Sequence, residues 1–200
     1  MKLVLASGNP SKLAELRALL DDARLELHAQ SEFGIADVQE TASTFVENAL
    51  LKARHAARAT GLPALGDDSG LCVDALHGAP GLYSARYGGV HGDAVCNIDR
   101  LLRELDGVPQ AQRVARFQCV LVLLRTVDDP QPLIAEGSWE GRILDAPRGS
   151  GGFGYDPVFF DPERGCSAAE LDPALKHRIS HRGRALAALK QRLWIEKGLE

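Results

Sequence analysis

The stretch ARFQCVLVLLRTV, Ala115 to Val127, constrains the fold more than any other part of the chain. It is a long, β-branched apolar run of the kind found in central strands, and such a strand needs cover on both faces. Amphipathic helices elsewhere can supply it. One follows a buried first strand at Lys2 to Ala6, starting at Pro10 and Ser11 and carrying Leu13, Leu16, Leu19 and Leu20 on one face. A second is punctuated by the capping box Thr44-Phe-Val-Glu47, the stop Gly61 and Pro63 beyond it. Its alanines, Ala49, Ala53, Ala56 and Ala57, suit close packing. Asp93 to Leu105 reads as a third helix, and Gly183 to Glu196 as the last, with Leu186, Leu189 and Leu193 inward.

Arg24 to Ala29 predicts a second, alternating strand. Leu133 to Leu144 predicts an antiparallel partner for the central run across the turn at Asp128-Asp129-Pro130, and Val158 to Phe160 a short strand. Helices alternate with strands but a hairpin interrupts the pattern, so the fold class is α/β with a mixed sheet. The 200 residues and 45% hydrophobic content suit one large core, or two lobes sharing one, and the expected organisation is a single domain over 1–200.

A net charge of -4 gives no general attraction to nucleic acid or to an anionic membrane, so any anionic ligand needs a local basic cluster. Cys72, Cys96, Cys119 and Cys166 lack CxxC spacing, which fits reduced thiols better than disulfides or zinc. The apolar start is too short for a signal peptide, and no stretch reaches membrane-spanning length. The expected compartment is the cytoplasm.

Four segments carry candidate chemistry. SGNPSK, Ser7 to Lys12, joins a strand to a helix start, where unpaired N–H groups and partial positive charge suit a phosphate. Lys12 lies where the helix dipole disfavours a cation, which makes sense if an anion binds there. The P-loop spacing is absent, and an ordinary strand–turn–helix with an exposed lysine is the alternative. GDDSG, Gly66 to Gly70, interrupts an apolar run with Asp67, Asp68 and Ser69; alone it reads as a turn more readily than as a cation site. Glu40, Glu47 and Asp74 are further acids, and Mg²⁺ needs only a few carboxylates together. GSGGFGYDP, Gly149 to Pro157, contains G-x-G-x-x-G but leads into a strand, not a helix, so it is no dinucleotide fingerprint. It reads instead as a flexible loop offering Phe153 and Tyr155 for stacking and Asp156 as an acceptor, or as a surface loop over packed aromatics. KHRISHRGR, Lys176 to Arg184, is the densest basic stretch; if helical, His177/His181 and Arg178/Arg182 form two stripes. A zinc reading lacks the glutamate of H-E-x-x-H. Together the four describe a Mg²⁺-dependent site for a nucleoside polyphosphate.

The segments ASGNPSKLAEL, ETASTFVENALLKARHAA, GDDSGLCVDALHGAPGLYSARYGG, GGFGYDPVF and ISHRGRALAAL resemble, in order and spacing, the non-canonical purine nucleoside triphosphate pyrophosphatases (the inosine triphosphate pyrophosphatase family). The resemblance implies an elongated mixed central sheet flanked by helices, two lobes with the active-site cleft between them, and a homodimer. It implies Mg²⁺-dependent hydrolysis of inosine, deoxyinosine and xanthosine triphosphates to the monophosphate and pyrophosphate. By position, Ser7, Gly8, Asn9, Pro10, Ser11 and Lys12 would hold the triphosphate. Glu40 and Asp68 would hold Mg²⁺, with Asp68 also the proton acceptor for the attacking water. Ser69, Phe153, Gly154, Tyr155, Asp156, Lys176, His181 and Arg182 would contact substrate. Within that frame Lys12 and Lys176 are expected to stabilise the departing pyrophosphate. Arg182 and His181 are expected to donate to the 6-oxo group, with Phe153 stacked on the base. Ser7 stands where many relatives have Thr, and His177 where Asn is common. A related pyrophosphatase of other nucleotides, or a purine-nucleotide sensor without turnover, are the competing readings.

Overall fold

A computed structural model describes residues 2–20 and 26–197. The elements are β1 (Lys2–Ala6), α1 (Pro10–Leu20), β2 (Glu26–Ala29), α2 (Phe45–Thr60), β3 (Ala64–Val73) and α3 (Ala94–Glu104). They continue with β4 (Val114–Leu124), β5 (Leu133–Ile143), β6 (Phe159–Asp161), β7 (Cys166–Ser167), α4 (Pro173–Ile179) and α5 (His181–Lys197). Arg24 and Leu25 of the predicted second strand lie outside the described residues, as do the side chains of Leu19 and Leu20.

The strands form one sheet in the order β2-β1-β3-β4-β5-β6-β7. β1 is parallel to β2 and β3, while β5-β6 and β6-β7 are antiparallel, so the sheet is mixed. β4 takes the central place its composition demanded. Two compact units are built on this sheet: residues 1–68, 119–137 and 182–200 form the first, residues 69–118 and 138–181 the second.

In the first unit the strands bury both faces, and side-chain alternation assigns each face its helices. Leu3, Leu5, Leu65, Leu121 and Leu123 join a core with Leu13 and Leu16 of α1 and Leu186 and Leu189 of α5. Their strand neighbours Val4, Ala6 and Ala64 pack with Ala56 and Ala57 of α2, and Val120 and Val122 with Ala49. The second unit has its own core, centred on Leu71, Leu101, Phe117, Trp139 and Phe159.

α2 begins as its sequence dictates. The Thr44 Oγ1 accepts the Glu47 N–H at 3.3 Å, and Gly61 ends the helix at φ 68° with its N–H on Ala57 O. The alanine face lets the helix come down on β3 backbone to backbone. A Cβ on Gly66 would lie 2.0 Å from Ala49 O and 3.1 Å from Ala53 N. Gly66→Ala must therefore push α2 off the sheet, an overpacking expected to cost about 3 kcal/mol, read as a lower denaturant midpoint. A midpoint unchanged from wild type would refute this account of the contact.

KHRISHRGR is not one helix. α4 ends at Ile179, Ser180 is extended at φ -65° and ψ 162°, and α5 restarts at His181. The two i,i+4 stripes are therefore not built, because the helical register breaks between their members. The four cysteines are free thiols, and no described helix is long and apolar enough to cross a membrane.

Candidate functional site

GDDSG is not a turn. All five residues lie inside β3, and this overturns the local preference of Asp and Gly for turns. Strand alternation then sends the two neighbouring acids to opposite faces. Asp67 shares the parity of Leu65 and points toward α1 and α5. Asp68 shares the parity of Gly66 and points toward α2.

Asp67 is wholly buried and binds two cations, one from each helix on its face. Lys12 Nζ donates to Oδ1 at 2.5 Å and Arg182 Nε to Oδ2 at 2.9 Å. Arg182 Nη1 also donates to Glu15 Oε2 of α1, and the Cys119 thiol lies 3.9 Å from Asp67 Oδ2. The result is an alternating chain, Glu15–Arg182–Asp67–Lys12. Burial opposes ionisation of Asp67, but Lys12 and Arg182 outweigh it and hold the carboxyl well below the usual range. Arg182, expected to reach the base, is only 2% exposed, with two of its nitrogens committed to these carboxylates. The anion that explains Lys12 in a first helical turn is Asp67.

On the opposite face, Lys52 Nζ of α2 donates to Asp68 Oδ1 and to Glu40 Oε1, each at 2.8 Å. The structure thus brings Glu40 to Asp68, a proximity that sequence separation concealed. Burial, the largest influence, pushes the Asp68 carboxyl above its ordinary value. The Lys52 ammonium opposes the rise and the Glu40 carboxylate adds to it. Burial would lower Lys52, but the two carboxylates outweigh it and raise its pKa. Asp68 Oδ2 is buried with no hydrogen-bond partner. An orphaned carboxylate oxygen beside a second carboxylate is the donor set a hard divalent cation takes when phosphates and waters complete its shell. Among the described residues no cluster of three or more His, Cys, Asp or Glu could hold a metal alone. The two carboxylates fit a hard divalent cation whose remaining positions other ligands fill.

The loop carrying Glu40 is pinned to α2. Asn48 Oδ1 accepts the Ala42 N–H at 3.0 Å, and His55 Nε2 lies 3.1 Å from Ala36 O. The SGNPSK turn is ordered by its own polar groups: Ser7 Oγ accepts the Asn9 N–H and Asn9 Oδ1 accepts the Lys12 N–H, both at 3.2 Å. Asp37 closes over Gly8, where a Cβ would come within 2.6 Å of its Oδ2. The side chains of Pro10 and Ser11 lie outside the described residues.

In the second unit Asp156 is the hub. Its Oδ2 accepts the Phe153 N–H at 2.6 Å and Lys176 Nζ at 2.5 Å. Only glycine fits at Gly152, where a Cβ would lie 2.2 Å from Asp156 Oδ2. Phe153 is 39% exposed, with Lys176 Nζ 5.0 Å from its ring centroid. Tyr155 corrects the stacking expectation: it is buried in the unit's core, its hydroxyl donating to Ser84 O at 2.9 Å. His181 is buried against Phe117, the rings stacked at 4.7 Å and 14°. Ser69 follows on β3. Of the other acids, Asp74 pairs with Arg116 at 2.8 Å and Glu47 serves the α2 cap, so neither joins Asp68.

Lys52 and Glu15 were missed from sequence. Lys52 had a legible signal: it falls among Ala49, Ala53 and Ala56 at helical spacing, a cation on a face that must be buried. Glu15, on α1 one turn beyond Lys12, carried no such mark.

A family model described as the Ham1 family matches residues 3–192. A protein from Xanthomonas campestris pv. campestris named dITP/XTP pyrophosphatase is 64% identical over 191 residues, covering 96% of each chain. One of the same name from Vibrio cholerae is 55% identical over 188 residues, 94% of each. The structure of a HAM1 protein from Coxiella burnetii superposes with a TM-score of 0.91 at 50% identity, covering 98% of this chain and 99% of that one. A Mycobacterium abscessus structure described as nucleoside-triphosphatase / dITP/XTP pyrophosphatase gives 0.78 at 44%, covering 96% and 100%. Agreement of sequence and backbone over nearly the full length places this chain in the Ham1 family.

Proposed function

We propose that this protein hydrolyses inosine, deoxyinosine and xanthosine triphosphates to the monophosphate and pyrophosphate, with Mg²⁺ held by Glu40 and Asp68. The supporting observation is Asp68 itself: a mid-strand carboxylate beside Glu40, with one oxygen buried and unpartnered. The names of the relatives supply the substrate class. The cation supplies charge neutralisation on the phosphates and acidifies water.

The remaining work falls to the chain's own residues. Asp68 accepts the proton of the water that attacks the α-phosphorus; the new P–O bond forms as the bond to the β-phosphate oxygen breaks and pyrophosphate leaves. Burial raises the basicity Asp68 brings to that step. Lys12, held from below by Asp67, stabilises charge on the departing pyrophosphate, with Ser7 to Ser11 ordering the triphosphate. Phe153 stacks on the base, with Lys176 fixed beneath its ring by Asp156. Gly154, Ser69 and His181 are further substrate contacts, and Tyr155 supports this loop from the core. Arg182 takes part through Asp67. The protein is a cytoplasmic homodimer acting on free nucleotides, with neither nucleic acid nor membrane as partner.

A triphosphate panel with pyrophosphate and orthophosphate quantified separately tests this reading. Mg²⁺-dependent pyrophosphate from the inosine, deoxyinosine and xanthosine compounds, and little from guanosine, adenosine or a pyrimidine, is expected. Orthophosphate as first product, or indifference to the base, would sink it.

A further inference from the structure

We infer that Lys52 is a tethered counter-cation for the metal site: its ammonium holds Glu40 Oε1 and Asp68 Oδ1 until the divalent cation takes them. The inference rests on Glu40 and Asp68 being the metal ligands. The geometry carries it. Lys52 Nζ is 2.8 Å from one oxygen of each carboxylate, so it bridges the very groups a metal would bridge. Its side chain is 11% exposed and that of Asp68 8%, so bulk water screens neither charge well.

Two carboxylates packed this way repel each other, and each loses hydration. A compact ammonium on a flexible four-carbon stem relieves both effects without a rigid fork, which an arginine would impose. It also leaves Asp68 Oδ2 unpartnered, so the carboxylate is only half satisfied and retains an open coordination position. A divalent cation that took Glu40 Oε1 and Asp68 Oδ1 together would occupy the place the ammonium now holds. Metal binding at those two oxygens therefore has to displace Lys52. Its root on α2 is fixed against β3 at Gly66, so only the side chain need move.

The test measures Mn²⁺ binding by electron paramagnetic resonance without nucleotide, on wild type and Lys52→Met. Removing the competitor should tighten Mn²⁺ binding about tenfold, as expected if the ammonium occupies the site some nine-tenths of the time. In chelator the variant should melt below wild type, and saturating Mn²⁺ should raise its melting temperature by more than it raises that of wild type. Equal or weaker affinity, with equal thermal shifts, overturns the inference. Should Lys52→Met not fold, wild type alone decides: acetylation of Lys52, followed by peptide mass spectrometry, should rise severalfold on saturation with Mn²⁺. An unchanged or reduced rate overturns the inference as well. If wild type binds no Mn²⁺ even with a non-hydrolysable inosine triphosphate analogue, the metal assignment of Glu40 and Asp68 fails first.

Discussion

Asp68→Asn should fold with a melting temperature at or slightly above wild type and lose turnover by about a thousandfold or more, combining a lost general base with a lost metal ligand. The two halves follow from the same environment. Burial and the neighbouring Glu40 both oppose the charge on Asp68, so a neutral amide relieves that opposition in the folded site. Lys52 keeps Glu40 as its partner, so no buried cation is stranded. The amide cannot take a proton from water, and it is a poor ligand for a hard cation. Steady-state rates on deoxyinosine triphosphate, alongside a thermal melt, decide the matter. Near-wild-type turnover would remove Asp68 from the chemistry, and a large drop in melting temperature would contradict the account of its burial.

How much was legible in the sequence depends on the range of the forces involved. β4, the Thr44 cap and the Gly61 stop answer to local rules, and they fell where pattern and capping chemistry placed them. GDDSG did not, because Asp and Gly prefer turns and only tertiary partners override that preference. Those partners, Lys12, Arg182 and Lys52, come from three helices that no spacing connects to residue 67 or 68. The basic stretch before α5 failed for a similar reason: Ser180 resets the backbone, and an i,i+4 stripe requires unbroken register. Glu40 and Asp68 could be named by resemblance, but their contact through Lys52 exists only once α2 lies on β3. The Phe153 loop was legible as a glycine-rich aromatic segment. Which ring stays exposed was decided by the second unit's core, and that core claimed Tyr155.

Asp67→Ala should behave in the opposite way to its neighbour, losing about 3–5 kcal/mol of stability because it leaves buried cations without their anion. Lys12 and Arg182 both lean on this carboxylate, and Glu15 alone cannot serve the two of them. Arg182 is only 2% exposed, so water cannot hydrate its charge in place of the lost carboxylate. The pH dependence distinguishes this mechanism from a simple packing loss. Asp67 in the folded protein is held well below its ordinary value, so below pH about 4 the unfolded chain binds the extra proton first. The stabilisation it brings is complete above that pH and drains away as the pH falls toward the folded-state value. Wild type should therefore lose stability more steeply than the variant between pH about 4 and 2 in denaturant melts. Parallel curves would mean the carboxylate's charge is not what the helices gather around. Equal melting losses for Asp67→Ala and Asp68→Asn would mean that strand alternation does not separate their roles. Two adjacent aspartates with opposite signatures, one in stability and one in turnover, are what a strand covered by helices on both faces requires.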